Sequence, residues 1–81
     1  MFINKTKDGR NNICGSNVTI FRKEKRLSQR ELADLLQLAG LDVDKNAVQR
    51  IESGQRFVTD IELIYLSKVL EKTYIDLLAV K

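Results

Sequence analysis

The apolar positions of this chain fall into short runs at helical spacing, each closed off by a capping or turn residue. Residues 1–15 (MFINKTKDGRNNICG) are the exception. They are polar, rich in Asn, Lys and Gly, and without period, so they read as a flexible N-terminal arm. Beyond them, Val18, Phe21 and Lys25 recur at i, i+3 and i+7 with Arg22 alongside, which predicts a first helix over about residues 17–25. Ser28-Gln29-Arg30-Glu31 forms a capping box, in which the Ser hydroxyl and Glu carboxylate satisfy the orphan amides of a second helix. Leu32, Leu35, Leu36 and Ala39 continue that helix, and Gly40 supplies a left-handed stop.

The pattern then repeats. Asp44 is a good N-cap for a third helix over about residues 45–53, with Val48 and Ile51 inward and Ala47 small enough for close contact. Gly54 ends it. Thr59-Asp60-Ile61-Glu62 is a second capping box and opens a fourth helix, with Ile61, Ile64, Tyr65 and Val69, or Leu66 and Leu70, at helical intervals. Thr73 caps a short fifth helix holding Ile75, Leu77 and Leu78. Five short helices with brief connections predict an all-α fold, a compact five-helix bundle spanning residues 16–81.

Composition narrows the function. The 81 residues contain no proline and no tryptophan, and aromatics make up 6%, a balance that suits helices better than a β-sandwich. No stretch approaches the ~18 apolar residues of a membrane span, and a soluble cytoplasmic protein is expected. Histidine is absent, which excludes Ser/His triads and His-ligated metals. One cysteine, Cys14, cannot build a thiolate metal site or an internal disulfide. No glycine-rich phosphate loop is present. An enzyme is therefore not expected, nor a cofactor, nor a metal. The basic neighbours of Cys14 would suit a redox-sensing thiol, but a small residue packed at the start of the first helix is the preferred reading.

Charge points to a polyanion. Residues 1–30 carry Lys5, Lys7, Arg10, Arg22, Lys23, Lys25, Arg26 and Arg30 against only Asp8 and Glu24, within a total net charge of +3. A basic end on a nearly neutral domain suits nucleic acid. The second and third helices with the turn between them form a helix-turn-helix arrangement. Lys45, Asn46, Gln49 and Arg50 project from the third helix opposite Val48 and Ile51. Those residue types match base edges: Arg and Lys to guanine, Asn and Gln to adenine.

Several ordered words carry a resemblance. They are Arg22 late in the first helix, Leu27-Ser28-Gln29 and Glu31-Leu32-Ala33 in the second, and Ile51-Glu52-x-Gly54-x-Arg56 after the third, with Leu63 through Leu70 and Leu77-Leu78 behind them. The stretch Val18–Leu78 resembles the Xre/Cro/C1 family of phage-repressor-like helix-turn-helix domains. The resemblance implies a lambda-repressor-like fold and a sequence-specific transcriptional regulator that binds double-stranded DNA. It puts base contacts on Lys45, Asn46, Gln49 and Arg50, and phosphate contacts on Gln29, its neighbour Arg30, and Arg56. It makes Arg22 and Glu52 a structural ion pair that orients the third helix. Single modules of this size cover ~600–1,000 Å² of interface, so a homodimer on two half-sites about one helical turn apart is expected. Self-association would use the fifth helix (Tyr74, Ile75, Leu78, Val80) or the arm.

The chain departs from the family pattern in two places. Between Ser28 and Glu52 it is longer by five residues, about three placed before Gly40 and two between Gly40 and Asp44. Arg26 stands where the family often has Gly or Asn, which suggests a gentler turn or one more phosphate-facing cation. The rival reading is an antitoxin-type or other protein-docking module on the same fold.

Overall fold

The computed structural model describes residues 4–80. Its elements are α1 (Cys14–Glu24), α2 (Gln29–Ala39), α3 (Lys45–Ser53), α4 (Asp60–Leu70) and α5 (Tyr74–Leu77). Both expected capping boxes form, and Thr73 with Asp76 makes a third at α5. The α3 cap works by the same local chemistry: Asp44 Oδ1 accepts from the Ala47 amide at 2.8 Å.

Helix α1 begins three residues before the apolar period suggests. Asn12 explains the early start, since its Oδ1 accepts from the Gly15 amide at 2.8 Å and satisfies a donor of the first turn. Cys14 and Asn17 are then buried on the inward face with Val18. Asn17 meets the need of a buried amide by donating to the carbonyls of Leu77 and Ala79, both at 2.8 Å, which ties α1 to α5.

Helix α1 packs against α3, α4 and α5, and α2 against α3 and α4. Val18, Leu32, Leu36, Val48, Ile51, Leu66, Leu70 and Leu77 fill the space between them. Burying each such side chain contributes roughly 1.5–3 kcal/mol. On α4 the inward row is Glu62, Leu66 and Leu70, whereas Ile61 is 62% exposed and Ile64 also faces out. Leu35 and Ala39 of α2 are exposed too, and Leu38 is 85% exposed.

The longer α2–α3 segment is held without a loose loop. Helix α2 runs to Ala39, and Gly40 takes φ +112°. The Leu41 amide returns to the Leu36 carbonyl at 2.9 Å and the Gly40 amide to Gln37 at 3.0 Å, a Schellman stop. Gln37 Nε2 reaches across to the Val43 carbonyl at 2.6 Å. Val43 is buried, Leu41 is half-buried and Asp42 stays in water.

Arg26 corrects the expectation of a gentler turn. It sits at φ +57° in the left-handed region, with the Leu27 amide bonded to the Arg22 carbonyl at 3.1 Å and its own amide to Lys23 at 3.0 Å. The turn has the tight geometry that glycine usually provides, at a cost of roughly 1–2 kcal/mol for a residue with a Cβ.

Candidate nucleic-acid interface

Helix α3 separates two faces cleanly. Ala47, Val48 and Ile51 are buried, while Lys45, Asn46, Gln49 and Arg50 are all exposed. The exposed four have almost no internal commitments. Arg50 Nε makes a long contact of 3.4 Å with the Asn46 carbonyl, and no other hydrogen bond of these side chains occurs among the described residues. Their donors and acceptors are available to an outside partner.

Arg30 joins this group. It lines a shallow groove between α2 and α3 with Ala33, Asp34, Gln37, Asp44, Lys45 and Asn46. The groove mixes two carboxylates, Asp34 and Asp44, with two exposed cations, Arg30 and Lys45. At the start of α2 the Ser28 hydroxyl takes the Glu31 amide at 3.0 Å. The amides of Gln29 and Arg30 have no hydrogen-bond partner among the described residues. Such unpaired first-turn amides are ready anion donors.

The Gln29 side chain is engaged elsewhere. Its Nε2 donates to Glu52 Oε1 at 3.1 Å, so it completes the ion pair rather than standing free. That pair is bidentate: Arg22 Nε meets Glu52 Oε2 at 2.7 Å and Arg22 Nη2 meets Oε1 at 3.1 Å. Arg22 Nη1 also donates to the Leu27 carbonyl at 2.6 Å, which fixes the α1–α2 turn to the same group. The Glu52 side chain is only 7% exposed. Burial alone would raise its pKa, but the donors from Arg22 and Gln29 outweigh that and hold the carboxyl below its ordinary range.

Arg56 is likewise occupied. Its Nη2 bonds Glu62 Oε2 at 2.6 Å, while Glu62 Oε1 accepts from the Thr59 amide at 2.9 Å. The pair clamps the α3–α4 connection onto the start of α4. The structure therefore brings Lys45, Asn46, Gln49, Arg50 and Arg30 to one surface and commits Gln29 and Arg56 to internal partners. Sequence reasoning named Glu62 as a cap but gave no sign of its second partner, because nothing local marks a contact made by a neighbouring loop. Cys14 is 2% exposed. Burial pushes its thiol up to about 11, away from the thiolate that a redox sensor needs.

A family model described as Helix-turn-helix matches residues 20–77. The restriction-modification controller protein C.AhdI from Aeromonas hydrophila is 30% identical, with 79% of this chain and 86% of that one covered at a TM-score of 0.68. The clp gene regulator ClgR from Corynebacterium glutamicum is 24% identical over 84% of this chain and 82% of its own, with a TM-score of 0.71. The P22 c2 repressor, solved in complex with a synthetic operator, shares the fold at a TM-score of 0.71 and 21% identity, covering 86% and 98% of the two chains. No curated protein matches the chain.

Proposed function

This chain belongs to the Cro/C1-type helix-turn-helix family of DNA-binding transcription regulators, and we propose that it reads the major groove of double-stranded DNA with α3. One observation carries the assignment. Lys45, Asn46, Gln49 and Arg50 stand exposed on a helix whose other face is buried, with one long Arg50 contact as their only side-chain bond among the described residues. An α-helix with its side chains is ~10–12 Å across, and a major groove ~12 Å wide admits it. In this proposal those four side chains contact base edges. Arg30 and the free amides of Gln29 and Arg30 contact phosphate. Arg56 would have to share a guanidinium already held by Glu62, so it ranks last among the phosphate contacts.

We further propose a homodimer on two half-sites, with no catalytic activity and a cytoplasmic setting. No helix among the described residues is long and apolar enough to cross a membrane. Support for the dimer comes from α5 and the residues after it, where Ile75 and Val80 are at least 80% exposed and Tyr74 and Leu78 are about half exposed. Apolar side chains gathered at one end of a small domain favour a protein partner, and a second copy supplies the symmetry that an operator with two half-sites requires. A docking partner other than a second copy would show as a monomer in solution and on DNA.

The direct test is equilibrium binding to duplexes enriched from a random pool, measured across salt. Log affinity should fall with log salt at ~0.9 per phosphate neutralised. Affinity that is flat from low to moderate salt would refute the proposal.

A further inference from the structure

We propose that Thr6–Asn12 is a brace that sets the position of α3, with Arg10 as its positioning residue. The inference rests on the DNA-reading role of α3 given above, and it concerns a segment whose sequence looks irregular. The segment first folds on itself. The Thr6 amide donates to the Arg10 carbonyl at 2.9 Å, the Gly9 amide to the Thr6 carbonyl at 3.0 Å, and the Arg10 amide to Thr6 Oγ1 at 2.9 Å. The Thr6 hydroxyl also donates to Asp8. Gly9 closes the turn at φ +83°, a conformation that needs glycine although no atom lies within 4 Å of where a Cβ would be.

The turn delivers three side chains to the end of α3. Arg10 Nη2 donates to the Glu52 carbonyl at 2.8 Å. The Asn11 amide donates to the Gly54 carbonyl at 2.7 Å, and its Nδ2 to the Gln55 carbonyl at 2.8 Å. Asn12 Nδ2 is shared between the carbonyls of Ile51 at 3.1 Å and Arg56 at 2.7 Å. Ile51 and Glu52 lie in the last turn of α3, whose carbonyls have no partner in the helix ladder, and the other three lie just past it; a cation here also meets the negative end of the helix dipole.

Two glycines make the approach close enough. A Cβ on Gly54 would lie 2.8 Å from the Cγ, Nε and Cζ of Arg10, so the arginine lies directly over bare backbone. A Cβ on Gly15 would lie 2.0 Å from the Ile51 carbonyl oxygen. Glu52 is thus held from two directions, by Arg22 and Gln29 at its carboxylate and by Arg10 at its carbonyl. Arg10 is half-buried with Nη2 on the Glu52 carbonyl, which separates it from the exposed cations Arg30 and Lys45. Its effect on DNA passes through the angle of α3 rather than through a phosphate.

The experiment uses the full chain with Arg10→Ala, Arg10→Lys and Asn12→Ala, all measured well below their melting temperatures. The probes are a duplex enriched by the wild-type protein and a scrambled duplex of equal length. Positions that touch no ligand shift coupling enough to change such a preference by roughly 2- to 30-fold. Each variant should lose preference for the enriched duplex over the scrambled one on that scale, with the salt slope unchanged. Without DNA, amide exchange at Gly54, Gln55 and Arg56 should quicken in Arg10→Ala. The brace is overturned if the salt slope falls by ~0.9 in Arg10→Ala, the signature of a phosphate contact. It is equally overturned if Arg10→Lys matches wild type in preference, or if exchange at those amides is unaltered. A wild-type chain that prefers no duplex would overturn the DNA reading instead, and amide exchange would then decide the brace alone.

Discussion

The two ends of α3 are built to opposite rules. From Lys45 to Arg50 the outward side chains are exposed and nearly free of internal hydrogen bonds. From Ile51 to Arg56 the segment is held by specific bonds: the Glu52 carboxylate by Arg22 and Gln29, its carbonyl by Arg10, and the carbonyls of Ile51, Gly54, Gln55 and Arg56 by Asn11 and Asn12. A surface that reads bases needs unspent donors, whereas a surface that fixes an angle needs spent ones. One helix of nine residues carries both because buried Ala47, Val48 and Ile51 hold it against the core along its length. Change at the first end should therefore alter recognition with stability kept, and change at the second should alter stability first.

The largest effect is expected at the fixed end. Glu52→Ala leaves Arg22 unpaired in a site where both side chains are nearly buried. Breaking such a pair costs about 3–5 kcal/mol. Urea unfolding should show a lower midpoint with the slope unchanged, and a wild-type midpoint would remove the ion pair from the account. Gly15→Ala comes next, since its Cβ would meet the Ile51 carbonyl backbone rather than a movable side chain. Overpacking of this kind costs about 1–3 kcal/mol, readable as a lower melting temperature.

Acid should weaken the same end. Glu52 and Glu62 both titrate below the ordinary glutamate value of 4.5 in the folded chain, burial being outweighed by their hydrogen bonds. A group with a depressed folded pKa contributes stability above its unfolded pKa and loses it as pH falls through the folded one. Melting temperature should thus drop as pH is lowered below 4.5, and Glu52→Gln should drop less over that window. Parallel curves for the two proteins would contradict the assignment. The smallest effect lies away from both ends, at the α1–α2 turn. Arg26→Gly relieves the left-handed strain at φ +57° and should stabilise by roughly 0.5–1 kcal/mol, glycine's unfolded-state entropy offsetting part of the gain.

What the sequence made legible follows from how local each interaction is. Ser28 with Glu31, Thr59 with Glu62, Asp44 and Gly40 act within three or four residues, so their spacing announces the helix ends they make. The exposed face of α3 was legible for the same reason, as helical periodicity puts Lys45, Asn46, Gln49 and Arg50 opposite Val48 and Ile51. Contacts from Arg10 and Asn12 span 39 to 44 residues, and nothing in the polar run before α1 signals them. Arg26 and Glu71 take left-handed conformations that the sequence would assign to glycine. Ile61 looked inward by period, yet Glu62 takes the buried place because Arg56 and the Thr59 amide satisfy its charge there.

The contrast between the two ends is tested most directly at Arg50, one residue before the fixed turn begins. Sequences bound from a random duplex pool should be compared for wild type and Arg50→Ala, alongside their melting temperatures. Preference at one base position should weaken by about 1–3 kcal/mol while the melting temperature stays nearly unchanged. An identical selected sequence from the two proteins, or a melting temperature that falls as far as in Glu52→Ala, would contradict it.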